Sequence, residues 1–238
     1  VLTGIAVASY GKDLRDGSDL GLITAAVIEA APDARIRLGS LEPTVVTESF
    51  CRKVSGSGRL CRHFHLSLQS GSDGVLSRMY RKYDTETFYK AAELLRHYFP
   101  GCALTADLIT GFPGETEAEH RETLDFLRRC GFSAMHIFPY SVRPGTKAAA
   151  MQDQLPQSVK AARAREAQEL ADGLQRKFLR DSVGKTLPVL FETEQSGFSI
   201  GHSDTYCEVR VPGSGLRGIV KNVKIQGVSD KMLVGDLI

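Results

Sequence analysis

The chain has 238 residues, 42% hydrophobic and 24% charged, with a formal net charge of +2. Those totals fit a soluble globular protein of one large or two small domains. No apolar run approaches the roughly 20 residues of a membrane-spanning helix, and the start lacks the basic region and cleavage site of a signal peptide.

Residues 2–9 (LTGIAVAS) form a short apolar run that predicts a buried strand. The chain opens in this run without Met, which reads as a fragment whose beginning has been cut away. A polar loop follows, then a helix over 20–31, a strand over 36–38 and a turn through Ser40, Leu41 and Glu42. A helix is expected over 45–54, a period-two strand over 64–68 (FHLSL), and a turn beginning Gln69, Ser70. A short helix over 74–80 and a longer one over 85–99 come next; Phe88, Ala92, Leu95 and Phe99 share one side of the latter.

The stretch DLITGFPGET, from Asp107 to Thr116, reads as a strand end, a Gly/Pro turn and a helix start. Gly111 and Gly114 permit unusual backbone angles or close approach, Pro113 ends the strand, and Thr116 with Glu119 makes a capping box. A helix over 117–130 and a strand over 134–139 (AMHIFP) complete the pattern.

Five strand–helix units of about 30 residues imply a parallel sheet with right-handed crossovers. A closed barrel of this type needs eight, so the fold class is α/β, an open sheet or a partial (β/α) barrel. In either case the strand C-terminal ends share one rim. That rim would gather Ser9–Tyr10, Ser40–Glu42, Gln69–Ser70, Asp107–Phe112 and Tyr140–Arg143, and this convergence favours a ligand site over simple helix capping.

Residues 157–181 read as one long helix with Leu170, Leu174, Phe178 and Leu179 inward. Short strands over 186–193, 207–211, 218–226 and 231–234 then fit a small antiparallel β-barrel. Two domains follow, 1–181 and 182–238. Small barrels of this kind often bind nucleic acid, with a protein-docking module as the alternative.

Charge is unevenly spread. Between Arg52 and Lys82 lie seven basic residues, including Arg78 and Arg81, against the single acid Asp73. Such a patch could meet a phosphate backbone or form a solvated face. The barrel carries six basic and six acidic residues, so any RNA role there needs clustering; Tyr206, Phe198, Arg210, Lys221 and Lys224 are the candidates. Cys51, Cys61, Cys102, Cys130 and Cys207 are scattered, with no C-x-x-C pair. Neither a disulfide framework nor a self-contained metal site is expected, and buried thiols in a reduced, cytosolic compartment are.

Taken together, IRLGSLEP, HLSLQSGSDGVLSRMYRKY, DLITGFPGET and HIFPYSVRPGTKAA resemble, in this order and at these distances, the radical SAM methylthiotransferases. The resemblance covers essentially the whole chain. It implies a partial barrel lacking its first strand and cluster loop, followed by a TRAM-like barrel that holds RNA. It further implies S-adenosylmethionine and two [4Fe–4S] clusters as cofactors, and transfer of a methylthio group to C2 of a modified adenosine beside the tRNA anticodon. The SVRPGT stretch looks like the tRNA-modifying branches, and MYRKY after QSGSD looks most like the threonylcarbamoyladenosine branch. The C-x-x-x-C-x-x-C of the family is absent, so residues 1–238 alone are expected to be inert.

By the same resemblance, Ile109, Gly111 and Phe112 would lie against the adenine or ribose, with Asp107 beside them or bracing a neighbouring loop. Gln69 and Ser70 would contact the ribose, Ser40 and Glu42 the methionine moiety or ribose, and Phe138 and Tyr140 the adenine. Arg143 would sit nearest the entering nucleotide, with Arg78, Arg81, Lys82, Tyr206, Arg210, Lys221 and Lys224 facing RNA. The implied partner is tRNA, for a cytoplasmic monomer with no membrane contact. Two rivals stand beside this reading: an RNA-binding module without chemistry, and a phosphate-binding barrel enzyme with phosphate at the 111–116 helix start.

Overall fold

The computed structural model describes residues 1–238. Three strands, β1 (His63–Gln69), β2 (Ala103–Thr110) and β3 (Ala134–Pro139), pair in parallel in that order. Isolated parallel bridges Leu2↔Leu38, Ile36↔Leu60 and Leu41↔Leu66 add two thinner segments ahead of β1. The five predicted strand positions thus follow one another in chain order, as short right-handed crossovers require.

The first segment departs from expectation. Only Leu2 pairs; residues Val7–Ser9 form a 3-10 turn, and Ile5 is fully exposed. This edge segment hydrogen-bonds on one side only, and Gly4 within it offers no side chain to pack.

Six helices connect and cover the sheet: α1 (Leu20–Ala30), α2 (Glu48–Val54), α3 (Asp73–Arg78), α4 (Thr85–Tyr98), α5 (Glu117–Cys130) and α6 (Gln157–Arg180). Their starts follow local chemistry. Asp19, Thr47, Asp84 and Thr116 each accept a backbone N–H from the first turn, and Thr116 with Glu119 completes the expected capping box. The helix expected from 45 begins only at Glu48, because Thr47 caps it and Pro43–Val45 is a 3-10 turn.

The two faces of the parallel sheet differ. Phe64, Leu66, Leu68, Leu104 and Leu108 are buried among Phe88, Leu95, Leu124 and Leu127 of the helices. His65, Ser67, Gln69, Thr105, Asp107 and Ile109 alternate with them and are only half-buried, as period two dictates.

α6 lies along β3 and β2. The side chains it buries are Lys160, Arg163, Ala167, Ala171 and Leu179, so of the expected inward set only Leu179 is fully covered. The reason is an ion pair: Arg163 Nη1 lies 2.8 Å from Glu115 Oε1, both side chains at or below 9% exposure, so a buried charge on the helix is matched.

Five further strands form a second body: β4 (Thr186–Gln195), β5 (Phe198–Ser203), β6 (Glu208–Pro212), β7 (Val220–Ser229) and β8 (Met232–Leu237). They close in the order β4-β5-β6-β8-β7. Two differences from the expected antiparallel barrel appear: β6 and β8 run parallel, and β5 was not anticipated. Gly201 weakens the strand signal of β5, yet a Cβ there would stand 1.9 Å from Leu190 O. Two-residue hairpins at Ser196–Gly197 and Asp230–Lys231, all at positive φ, join β4 to β5 and β7 to β8. Leu187, Val189, Phe191, Val209, Val223 and Ile225 fill the interior, joined by Leu179 from α6.

The two bodies are fastened together. Arg62 Nε lies 2.6 Å from Asp204 Oδ2, and Arg35 donates to the carbonyls of Pro188 and His202 at 3.1 and 3.2 Å. Tyr206 is gripped by Arg37 at 4.1 Å, by a stacked His202 at 4.6 Å, and by His63 at 4.9 Å. No helix is long and apolar enough to cross a membrane.

Two outcomes follow from this packing. Gly111 has φ +69, and a Cβ on it would lie 2.6 Å from Lys160 Cγ. Gly111→Ala should lower the unfolding free energy by about 3 kcal/mol in urea titration, from left-handed strain plus overpacking. The second concerns acid. Burial first, then the charges of Arg37, His65 and His202, pushes the His63 imidazole from 6.5 down to about 4. Between those values the unfolded chain binds the extra proton, so stability present above the higher pKa falls as pH drops toward the lower, by up to about 3 kcal/mol. His63→Gln should abolish that part of the pH dependence; an unchanged slope would refute it.

Candidate functional site

The half-buried polar face of the parallel sheet forms a trough. At the C-terminal ends of β1–β3 it opens into a cavity of about 490 Å3 lined by Gln69, Asp107, Ile109, Phe138, Tyr140 and Arg143, among others. At the other end, between sheet and small barrel, lies a cavity of about 630 Å3 that includes Ser40, His63, His65, His136, His202 and Tyr206. Asp107 borders both.

Each wall follows from local chain geometry. Asp107 pairs with His136, and Ile109 with Phe138, in the parallel register, so each pair shares one face. Phe138 is 52% exposed, a bare aromatic surface. The β1–β2 register shifts between Leu66 and Gln69, and Gln69 has φ +67, a left-handed angle for a non-glycine residue. Such strain collects where a side chain must be re-aimed. Tyr140 sits deeper, 8% exposed, with Phe112 edge-on to its ring at 5.3 Å. Its hydroxyl is buried without a partner.

A hydrogen-bond chain crosses the trough. Thr105 Oγ1 lies 3.1 Å from His63 Nε2 and 3.0 Å from His65 Nδ1, and His65 Nε2 lies 3.4 Å from Asp107 Oδ2. With His65 Nδ1 accepting from the Thr105 hydroxyl, that hydroxyl oxygen accepts from His63 Nε2–H. The sequence reading named none of His63, Thr105 or His136 as site residues. The available signal was the alternation HFHLSLQ beside ALTADLIT, which puts His63 and Thr105 on one face, with His136 of AMHIFP joining it opposite Asp107.

Other predicted residues lie elsewhere. Ser70 is 1% exposed, accepts from Ser72 N–H and contacts Thr123 Oγ1, bracing the turn. Glu42 is exposed ahead of the Pro43–Val45 turn. Gly111 faces Lys160 rather than the cavity. The loop amides are already used: Gly111 N–H donates to Glu115 Oε1 at 2.9 Å, Thr116 N–H to Glu119 Oε2 at 2.8 Å, and Gly114 N–H to Asp153 O at 3.0 Å. A phosphate at this helix start would have to displace the chain's own acceptors, which removes the observation that reading needed.

The basic candidates sort by partner. Arg78 is paired with Glu119 at 2.7 Å, Lys224 donates to Gly184 O at 2.6 Å, and Arg210 donates to Ser229 Oγ at 3.1 Å. Tyr206 is engaged by its own chain, as above. Lys82, Arg143 and Lys221 are exposed. Arg81 lines a small cavity of about 220 Å3 together with Phe112 and Lys147.

The cysteines stand apart. Cys51, Cys61, Cys102 and Cys130 are buried and Cys207 half-buried, all with free thiols. Burial pushes Cys51 and Cys102 up to about 11 and Cys130 to about 12. No three His, Cys, Asp or Glu side chains gather where they could hold a metal ion. Residues 1–238 therefore do not fit an iron–sulfur cluster.

Comparison with known proteins gives a consistent picture. The chain is 36% identical to the threonylcarbamoyladenosine tRNA methylthiotransferase MtaB of Bacillus subtilis over 94% of its length and 51% of that protein. It is 34% identical to the MtaB of Thermotoga maritima over 98% of its length and 54% of that protein. It is 40% identical to the tRNA-2-methylthio-N(6)-dimethylallyladenosine synthase of Chlorobium limicola over 81% of its length and 44% of that protein. The chain thus spans about half the length of the curated relatives it matches. Among solved structures, coproporphyrinogen III oxidase (HemN) from Escherichia coli, a radical SAM enzyme, superposes with a TM-score of 0.54 at 14% identity, covering 87% of this chain and 51% of that one. That likeness concerns the fold. The radical SAM superfamily matches residues 6–127, the stretch holding the segment at 36–41, β1 and β2, and the chain belongs to that superfamily.

Proposed function

We propose that the chain is part of a tRNA methylthiotransferase that adds a methylthio group to C2 of N6-threonylcarbamoyladenosine beside the anticodon. The observation that carries this is the cavity at the strand C-terminal ends, where Gln69, Asp107, Ile109, Phe138, Tyr140 and Arg143 converge. The activities named for the relatives supply the reaction class.

The residues present fit S-adenosylmethionine. Phe138 and Ile109 offer an apolar wall to an adenine, Gln69 and Asp107 offer hydrogen-bond partners to ribose hydroxyls or an amine, and the unpartnered Tyr140 hydroxyl gains one. Bound there, the cofactor supplies the hydrogen-abstracting and methyl-donating chemistry that the unactivated C2–H of an adenine requires. The chain's own tasks are to hold the reactants, orient them and exclude water. The hydrogen-bond chain from His63 through Thr105 to His65 sets His65 Nε2 3.4 Å from Asp107 Oδ2, and the other carboxylate oxygen is assigned to the ligand. Arg143 at the cavity and the exposed Lys82 are assigned to RNA, and the closed β4–β8 barrel is read as TRAM-like, with the exposed Lys221 assigned to the same partner. Domains 1–181 and 182–238 divide these tasks in a cytoplasmic monomer. Because the cysteines do not fit a cluster, no step is taken through one, and residues 1–238 alone are expected to bind without turnover.

The test of the reaction uses the natural full-length protein, reconstituted anaerobically and incubated with total tRNA, with nucleosides read by mass spectrometry. A methylthio shift on threonylcarbamoyladenosine is expected. No methylthio product on any tRNA would sink the proposal, and product only on the dimethylallyl nucleoside would move the chain to that branch. For the cofactor wall, Phe138→Ala should weaken S-adenosylmethionine binding to residues 1–238 about tenfold in equilibrium dialysis, without lowering the melting temperature. Unchanged affinity would remove Phe138 from the site.

A further inference from the structure

A second, smaller cavity adjoins the first, with Ile109 and Ala148 in both linings. The two spaces therefore meet at Ile109 and Ala148. The smaller one, about 220 Å3, has an apolar floor that includes Met79 and Met151, and carries Arg78, Arg81 and Lys147.

The three cations differ in what they face. Arg78 is already neutralised by Glu119 at 2.7 Å. Arg81 forms no ion pair, and its Nε is buried without a hydrogen-bond partner. Lys147 also lacks a carboxylate; its Nζ stands 4.9 Å from the Tyr80 ring centroid. Tyr80 reaches that position at φ +57, where a side chain other than Gly or Asn is strained. Arg81 is half-buried with its Nε out of solvent and Lys147 is exposed at the rim, so an anion between them gains charge-assisted bonds and gives the Arg81 Nε the partner it lacks.

We propose that this cavity binds the carboxylate of an amino-acid substituent on the substrate nucleoside, with Arg81 and Lys147 as its counter-charges. The proposal rests on the methylthiotransferase reading above and assigns residues to the substituent of the substrate named there. A threonylcarbamoyl group carries such a carboxylate on a short branched arm that suits the Met79 and Met151 floor. A dimethylallyl group brings no charge and would leave Arg81 desolvated and unpaired, a difference large enough to discriminate substrates. An RNA phosphate is the other source of the same oxyanion chemistry.

Calorimetry on the whole chain separates these sources. The probes are free N6-threonylcarbamoyladenosine, its methyl ester, adenosine 5′-monophosphate and adenosine. The acid should bind at least about tenfold more tightly than its ester. Arg81→Gln should bring the acid down to the ester's affinity, Lys147→Gln should reduce the gap, and both variants should keep the wild-type melting temperature. Equal affinities of acid and ester in the wild type, or a gap that survives both substitutions, would overturn the proposal. An Arg81-dependent advantage of the monophosphate over adenosine as large as that of acid over ester would also overturn it, in favour of a phosphate site. Failure of the tRNA reading looks different: the acid–ester gap persists while the full-length protein yields no methylthio product.

Discussion

Everything in this molecule depends on a parallel sheet with only one face covered. Parallel strands are ordinarily buried on both sides and read as continuous apolar runs. Here Phe64, Leu66 and Leu68 go under the helices while His65, Ser67 and Gln69 stay half-buried. A slip of one residue would drive the polar set into the core, so burial of the leucines fixes where the histidines, Thr105 and Asp107 can be. The trough results from that constraint, and the hydrogen bonds from Thr105 to His63 and His65 lock it across neighbouring strands.

A single helix ties the trough to everything else. Near its start α6 presses Lys160 against Gly111 and pairs Arg163 with Glu115, whose carboxylate also takes the Gly111 amide. Near its end Leu179 enters the core of the small barrel. A buried ion pair is weak support for stability by itself, but it strictly limits how the loop after β2 can be arranged. The loop, the cavity mouth and the second body are thus positioned by one rigid rod. Arg62–Asp204 and the clasp around Tyr206 then hold the barrel against the near end of the trough.

Charge at the site is decided by neighbours rather than by count. Arg78 and Arg81 are three residues apart in sequence, yet one answers Glu119 and the other answers nothing in the chain. Lys224 caps its own backbone through Gly184 O, whereas Lys221 stays in solvent. Ligand-directed cations are those the fold has left unmatched, and here they sit beside an apolar floor at the end of the trough.

Local signals carried much of this in the linear chain. The order of strand–helix units, the Thr116–Glu119 capping box and the span 117–130 of α5 were legible because caps, glycine turns and hydrophobic periods act over a few residues. The gathering of Gln69, Asp107, Tyr140 and Arg143 was legible too, since parallel topology gathers strand ends, whereas Ser9, Tyr10, Ser40 and Glu42 of the same expected rim do not line that cavity. What stayed hidden depended on contacts between distant segments. Strand β5 was missed because Gly201 exists to admit the Leu190 carbonyl, a neighbour the linear chain does not reveal. The inward face of α6 was legible in part: Leu170 and Leu179 pack inward as expected, but Lys160 and Arg163 are buried as well, because they meet Gly111 and Glu115, about 50 residues upstream. By itself, then, the sequence determined the period of each element and the order of the strand ends. Only the tertiary structure decided which charges are paired, which glycine admits a neighbouring strand's carbonyl and which faces a helix, because pairing and close approach are properties of segments brought together by folding.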